Sequence, residues 1–146
     1  MSLSVVKLEA AHASGCAHIE KTCFSAPWSE ADIESLVANP DARYFVAVDG
    51  TRAVGYGGLY ATLDEGNINN IAVLPEYRRQ KIASSILSAL IEESKRRGLT
   101  SLFLEVRESN TGAIALYEQY GFETVGRRKG FYSHPAEDAL TMKKSM

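Results

Sequence analysis

Arg78-Arg79-Gln80-Lys81 sets three cations and an amide in a polar turn between an apolar strand and a helix. Ile71-Ala72-Val73-Leu74 reads as the strand, and Pro75 stops it. Ile82, Ile86, Leu87, Leu90 and Ile91 then fall at i, i+4, i+5, i+8 and i+9, one face of a helix. The first-turn N–H groups of such a helix lack intrahelical partners, and with the helix dipole they suit a phosphate or diphosphate. Two more groups carry chemistry further along. Glu105 is a lone carboxylate in the apolar run 102–106, and alternation puts it beside Phe103, opposite Leu104 and Val106. Tyr117 stands seven residues after Asn110, two turns along a helix that Asn110 caps, so the two share a face.

These groups need a sheet and helices to hold them. A short strand over 5–8 and a helix over 10–23 open the chain, with Gly15 weakening the helix. A loop with two aromatics, Phe24 and Trp28, precedes a helix capped by Ser29, with Asp32 in the capping-box position. Strands at 44–48 and 53–61 flank the hairpin signal Asp49-Gly50, and Gly55, Gly57 and Gly58 suggest a bulge or a close backbone approach. A further strand ends at Leu74, and the run 102–106 is expected parallel to 68–74 across the long helix. The chain closes with strands at 122–125 and 139–143, joined by a loop holding Phe131, Tyr132 and His134. This order predicts an α/β mixed sheet, mostly antiparallel, with one βαβ crossover at its centre and about four flanking helices.

At 146 residues the chain is expected to form a single domain over 1–146. A net charge of −2 steers it to neither nucleic acid nor anionic lipid. Basic clusters at 95–97 and 127–129 read as a solvated helix end and a strand edge. The N-terminus lacks a signal-peptide core and no run is long enough to span a membrane, so no membrane partner is expected. Cys16 and Cys23 have no zinc-ligand spacing with His12, His18 or His134, so no metal is expected. They read as free thiols of a reducing cytoplasm.

Residues 78–83 resemble the Q/R-x-x-G-x-G/A loop of the GCN5-related N-acetyltransferases, which bind acetyl-coenzyme A; Arg78 and Ala83 match, and Lys81 stands at a usual glycine. Phe24-Ser25-Ala26-Pro27-Trp28-Ser29, Asn70-Ile71-Ala72-Val73, Leu104-Glu105-Val106-Arg107, Ser109-Asn110, Ala113-Ile114-Ala115-Leu116-Tyr117, Gly121-Phe122 and Glu137-Asp138-Ala139 resemble segments of the bacterial ribosomal-protein-alanine N-acetyltransferases.

The resemblance implies the GNAT fold and acetyl transfer from acetyl-CoA, as co-substrate, to the N-terminal amine of a protein, a ribosomal protein with N-terminal alanine. The enzyme would act as a monomer or weak dimer. Arg78, Arg79, Gln80, Lys81, Ile82, Ala83 and Ser84 would surround the diphosphate, and Ile71, Ala72 and Val73 would offer a backbone N–H to the thioester oxygen. Asn110 would contact the cofactor, cap its helix, or both. Glu105 would be general base and Tyr117 general acid, with Phe24, Trp28 and Tyr132 lining the acceptor groove or simply packing. Lysine at 81 fits close backbone approach only if the turn is already helical there; its ammonium then adds a phosphate contact, or cofactor binding is weaker. An α-amine, with a pKa of about 7.7–8.0 against about 10.4 for lysine, asks less of a carboxylate base. The alternatives are a lysine or small-molecule amine acceptor, and a non-catalytic fold relative.

Overall fold

Asp49-Gly50 closes a hairpin between β2 (Ala42–Asp49) and β3 (Arg52–Thr62), with Gly50 at φ 64°. The computed structural model describes residues 3–69 and 71–146; Met1, Ser2 and Asn70, which opens the Asn70-Ile71-Ala72-Val73 motif, lie outside the described residues. Around that hairpin stand β1 (Leu3–Lys7), α1 (Ala13–Cys23), α2 (Glu30–Ala38), β4 (Glu65–Ile68) and β5 (Ala72–Val73). There follow α3 (Ile82–Arg96), β6 (Ser101–Arg107), α4 (Thr111–Gln119), β7 (Glu123–Ser133) and β8 (Ala136–Ser145). One eight-stranded sheet runs β1-β2-β3-β4-β6-β8-β7, with β5 paired to β3 off that path. Among the described residues only the β4–β6 pair is parallel, and α3 makes its crossover.

The expected helix over 10–23 starts as a 3-10 turn, Ala10–His12, before α1. Gly15 is there for contact: a Cβ on it would stand 2.8 Å from the Ala53 Cβ of β3. Gly58 answers the same need, because a Cβ would enter the Tyr44 ring at 2.2 Å. Ser29 and Asp32 form the expected capping box of α2. Helices cover both faces of β3. Gly55 and Tyr56 are adjacent and so point oppositely; Gly55 lies under Ile82 of α3, while the Tyr56 hydroxyl donates to Glu20 of α1.

Two expectations are corrected. The strand ending at Leu74 is broken in two, and the parallel partner of β6 is 65–67, not 68–74. From Leu59 to Tyr56 on β3 is three residues, but from Ile68 to Ala72 opposite is four, so the chain bulges between β4 and β5. β5 then follows β3 and leaves β6. The loop placed around Phe131, Tyr132 and His134 shrinks to the turn His134-Pro135: β7 runs through Phe131 and Tyr132, and Tyr132 pairs with Glu137 of β8. This hairpin is solvated on both faces of β7, so it lacks the apolar alternation that marks a strand.

Candidate active site

The bulge opens a gap. β6 pairs with β4 only as far as Phe103, and beyond it Leu104–Arg107 pairs with β8 alone, while Ala72 and Val73 pair with β3. The facing edges of β5 and β6 are therefore not paired to each other, which leaves room for an extended guest between them.

The turn 78–84 stands at the head of α3, beyond the end of β5. Arg79 and Lys81 both adopt the left-handed conformation, at φ 64° and 63°. Lys81 is the N-cap of α3 and gives no side-chain cap. Its carbonyl accepts the Ser85 amide at 3.0 Å, which leaves the N–H groups of Ile82, Ala83 and Ser84 without intrahelical partners. α2 and α4 differ, since Ser29 and Asn110 cap them, with Asn110 Oδ1 accepting the Ala113 amide at 3.2 Å. Open amides in a left-handed turn form an anion nest, so these residues fit a diphosphate. The condition set on Lys81 is corrected: the turn is not helical there, and lysine holds the dihedrals a glycine would adopt. Arg79, Gln80 and Lys81 are exposed. Arg78 turns back instead, its Nε donating to the Val73 carbonyl at 3.1 Å.

Glu105 faces away from buried Leu104 and Val106, as alternation predicts. The register row Tyr60–Asn67–Phe103 carries that face across the sheet, so Glu105 lies on the side of Tyr56 and α1. Its Oε2 is shielded from solvent and has no hydrogen-bond partner among the described residues. Tyr132 is near enough for the Glu105 charge to help hold its phenol protonated, after burial, the larger cause. Tyr117 packs edge-on against Phe122, 5.8 Å between centroids, and burial, then Tyr132, pushes its pKa up to about 12. Its hydroxyl has no hydrogen-bond partner among the described residues. Tyr120 is committed elsewhere: its hydroxyl bonds with Ser84 at 2.5 Å and accepts from Ser88 at 3.1 Å, tying α4 to α3. These serine contacts hold its pKa below the usual phenol range.

Tyr132 links the two groups: its phenol feels the charge of Glu105 and in turn acts on that of Tyr117. Phe24 and Trp28 are half-buried in the α1–α2 loop, on the Tyr44 side of the sheet. Sequence reasoning passed over Glu20. This buried carboxylate accepts from the Trp28 amide at 2.9 Å and from Tyr56, so it pins the loop to β3. The signal was legible: Ala13, Cys16, Ala17 and Glu20 fall on one helical face, with a charge among apolar residues. Also passed over was Arg107, which bonds Glu137 and the carbonyls of His134 and Pro135 and lies 4.1 Å from the Tyr132 ring centroid. Burial raises the Cys16 thiol to about 12, so it is no nucleophile at neutral pH.

A shielded carboxylate oxygen without a hydrogen-bond partner among the described residues, a half-buried phenol that holds its proton and an anion nest beyond a strand gap suit acyl transfer between a phosphorylated carrier and an amine. The chain belongs to the acetyltransferase (GNAT) family, whose profile matches residues 13–122. Within it, the chain is similar to the ribosomal protein bS18-alanine N-acetyltransferase of Escherichia coli K12, 37% identical over 145 residues, 97% of this chain and 93% of that protein. The like-named protein of Salmonella typhimurium is 36% identical over 85% of this chain and 84% of its own. The crystal structure of the ribosomal-protein-S18-alanine N-acetyltransferase from Escherichia coli superposes with a TM-score of 0.89 at 34% identity, covering 99% of this chain and 94% of that one.

Proposed function

We propose that this protein uses acetyl-CoA to acetylate the N-terminal α-amine of a protein, namely a ribosomal protein that begins with alanine. The observation that carries this is Glu105, a carboxylate shielded from solvent whose Oε2 has no hydrogen-bond partner among the described residues; the half-buried phenol of Tyr117 supports it. The names of the relatives support the choice of acceptor. A reducing cytoplasm suits the two free cysteines.

When bound, the cofactor supplies an acetyl thioester. The amides of 80–84 would hold its diphosphate, and the strand Ile71, Ala72 and Val73 would offer the N–H that polarises the carbonyl. Asn110 serves as helix cap. Glu105 takes a proton from the acceptor amine, directly or through water, and Tyr117 gives one to the departing sulfur. At neutral pH about a tenth of an α-amine is already uncharged, so an N-terminus asks less of its base than a lysine does. Phe24, Trp28 and Tyr132 line the acceptor side.

Incubation with labelled acetyl-CoA and a panel of peptides tests this. Label is expected on the free N-terminus of an alanine peptide; label only on internal lysines or small amines overturns it. Calorimetry addresses the non-catalytic alternative: binding of acetyl-CoA is expected, and no binding at millimolar cofactor overturns the enzyme reading. The left-handed Lys81 favours binding, because the nest keeps its shape without glycine.

A further inference from the structure

Glu105 is not without a counter-charge. The Arg128 Nε of β7 stands 3.8 Å from the orphaned Oε2, inside ion-pair range and outside hydrogen-bond range. Register explains how it arrives. Arg107, Ala139 and Arg128 form one row across β6, β8 and β7, and Glu105, Thr141 and Gly126 form the next row on the same face. Arg128 thus starts two strands away, roughly 10 Å, and reaches back over small residues. Ala139 beneath is fully buried. Ala139, Thr141 and Gly126 are thus the small residues between the Arg128 backbone and the carboxylate.

The neighbouring arginines are fixed. Arg127 bridges Glu108 and Asp138, and Arg107 is held by Glu137 and two carbonyls. Arg128 makes no hydrogen bond among the described residues, its side chain is 61% exposed, and its other contact is the Phe131 ring at 5.7 Å. A cation this loosely held beside an oxygen with no donor is easily exchanged for a better one. A primary ammonium is smaller and brings three donors.

We propose that Arg128 is a placeholder cation, displaced from Glu105 by the N-terminal ammonium of the acceptor and restored once acetylation has made that nitrogen a neutral amide. This rests on the reading of Glu105 as the acceptor-side base. Incoming amine competes with the arginine, whereas acetylated product cannot hold the carboxylate and leaves. Arg128 is a positioning residue and takes no part in proton transfer.

The test is calorimetry on protein saturated with coenzyme A, which has no acetyl group to give. An alanine peptide with a free N-terminus and its N-acetylated twin are titrated into the parent, Arg128→Ala and Arg128→Lys. In Arg128→Ala the free amine is expected to bind about twofold to fivefold tighter, as for an exposed ion pair. That gain should shrink as salt rises. The acetylated twin should bind all three proteins alike, Arg128→Lys should resemble the parent, and melting temperatures should agree. Weaker binding of the free amine to Arg128→Ala, or an equal change for both peptides, overturns the placeholder. If the parent acetylates N-termini and the two affinities keep their ratio, only the placeholder falls. If the parent neither binds nor acetylates a free N-terminus, the proposed function falls with it.

Discussion

The proposed cofactor turn and the proposed acceptor side flank one gap between β5 and β6, yet they are made of different parts. The turn offers backbone: left-handed residues at 79 and 81 and three open amides, with exposed side chains around them. The acceptor side offers side chains, Glu105, Arg107, Arg128 and Tyr132, brought together by the register of three strands. A site made of backbone survives side-chain replacement so long as its dihedrals survive. A site made of side chains does not.

The largest effect therefore belongs to the acceptor side. Glu105→Gln keeps the shape and removes the base, so kcat/KM should fall about 10²–10⁴-fold at an unchanged melting temperature. A loss under tenfold would break the comparison at once. Tyr117→Phe comes next, with kcat down about 10²-fold and acetyl-CoA affinity held. Because burial lifts Tyr117 to about 12, the phenol keeps its proton across the neutral range and remains an acid there. Accordingly kcat should show no loss from Tyr117 up to about pH 10. An equal rate in the phenylalanine variant would remove Tyr117 from the mechanism.

On the cofactor side the decisive change is to an amide. Ala83→Pro removes one N–H at the second position of α3, a donor without an intrahelical partner, at some cost to the helical Ile82 before it. A lost bond to a charged group predicts about tenfold to hundredfold weaker acetyl-CoA binding. Arg79→Ala, which leaves the amides alone, should change affinity by less than about threefold. If the two variants weaken binding equally, the turn is read by its charges and not by its backbone.

The same difference explains what the sequence made legible. α3 and its turn could be placed from Pro75, the cations and the spacing of Ile82, Ile86, Leu87 and Leu90, because backbone chemistry at a helix start is local. Glu105 could be set on its face because Leu104 and Val106 alternate with it. Its meeting with Arg128 could not, since that depends on β7, whose residues are nearly all exposed and whose pairing slips between Thr124 and Gly126 and between Arg128 and Tyr132. No periodicity records such a register. The break between β4 and β5 escaped for a like reason: the four apolar residues 71–74 look continuous, and only the pairing to β3 reveals one residue too many.

The smallest effect sits at Lys81, where sequence left the outcome open and the dihedrals decide it. A left-handed non-glycine residue costs about 1–3 kcal/mol, whereas glycine gives back about 0.5–1 kcal/mol through the entropy of the unfolded chain. Lys81→Gly should therefore stabilise the unliganded protein by about 1 kcal/mol, a rise of about 2–4 °C in Tm for a chain this long. Affinity for acetyl-CoA should move by less than about threefold, because the nest already has its shape and only an exposed charge is lost. Thermal melts and calorimetry on the one variant read both quantities. A large gain in affinity would mean that lysine distorts the turn. An unchanged melting temperature would mean that the left-handed backbone at 81 is not under strain, and the backbone account of this side would need another source for its rigidity.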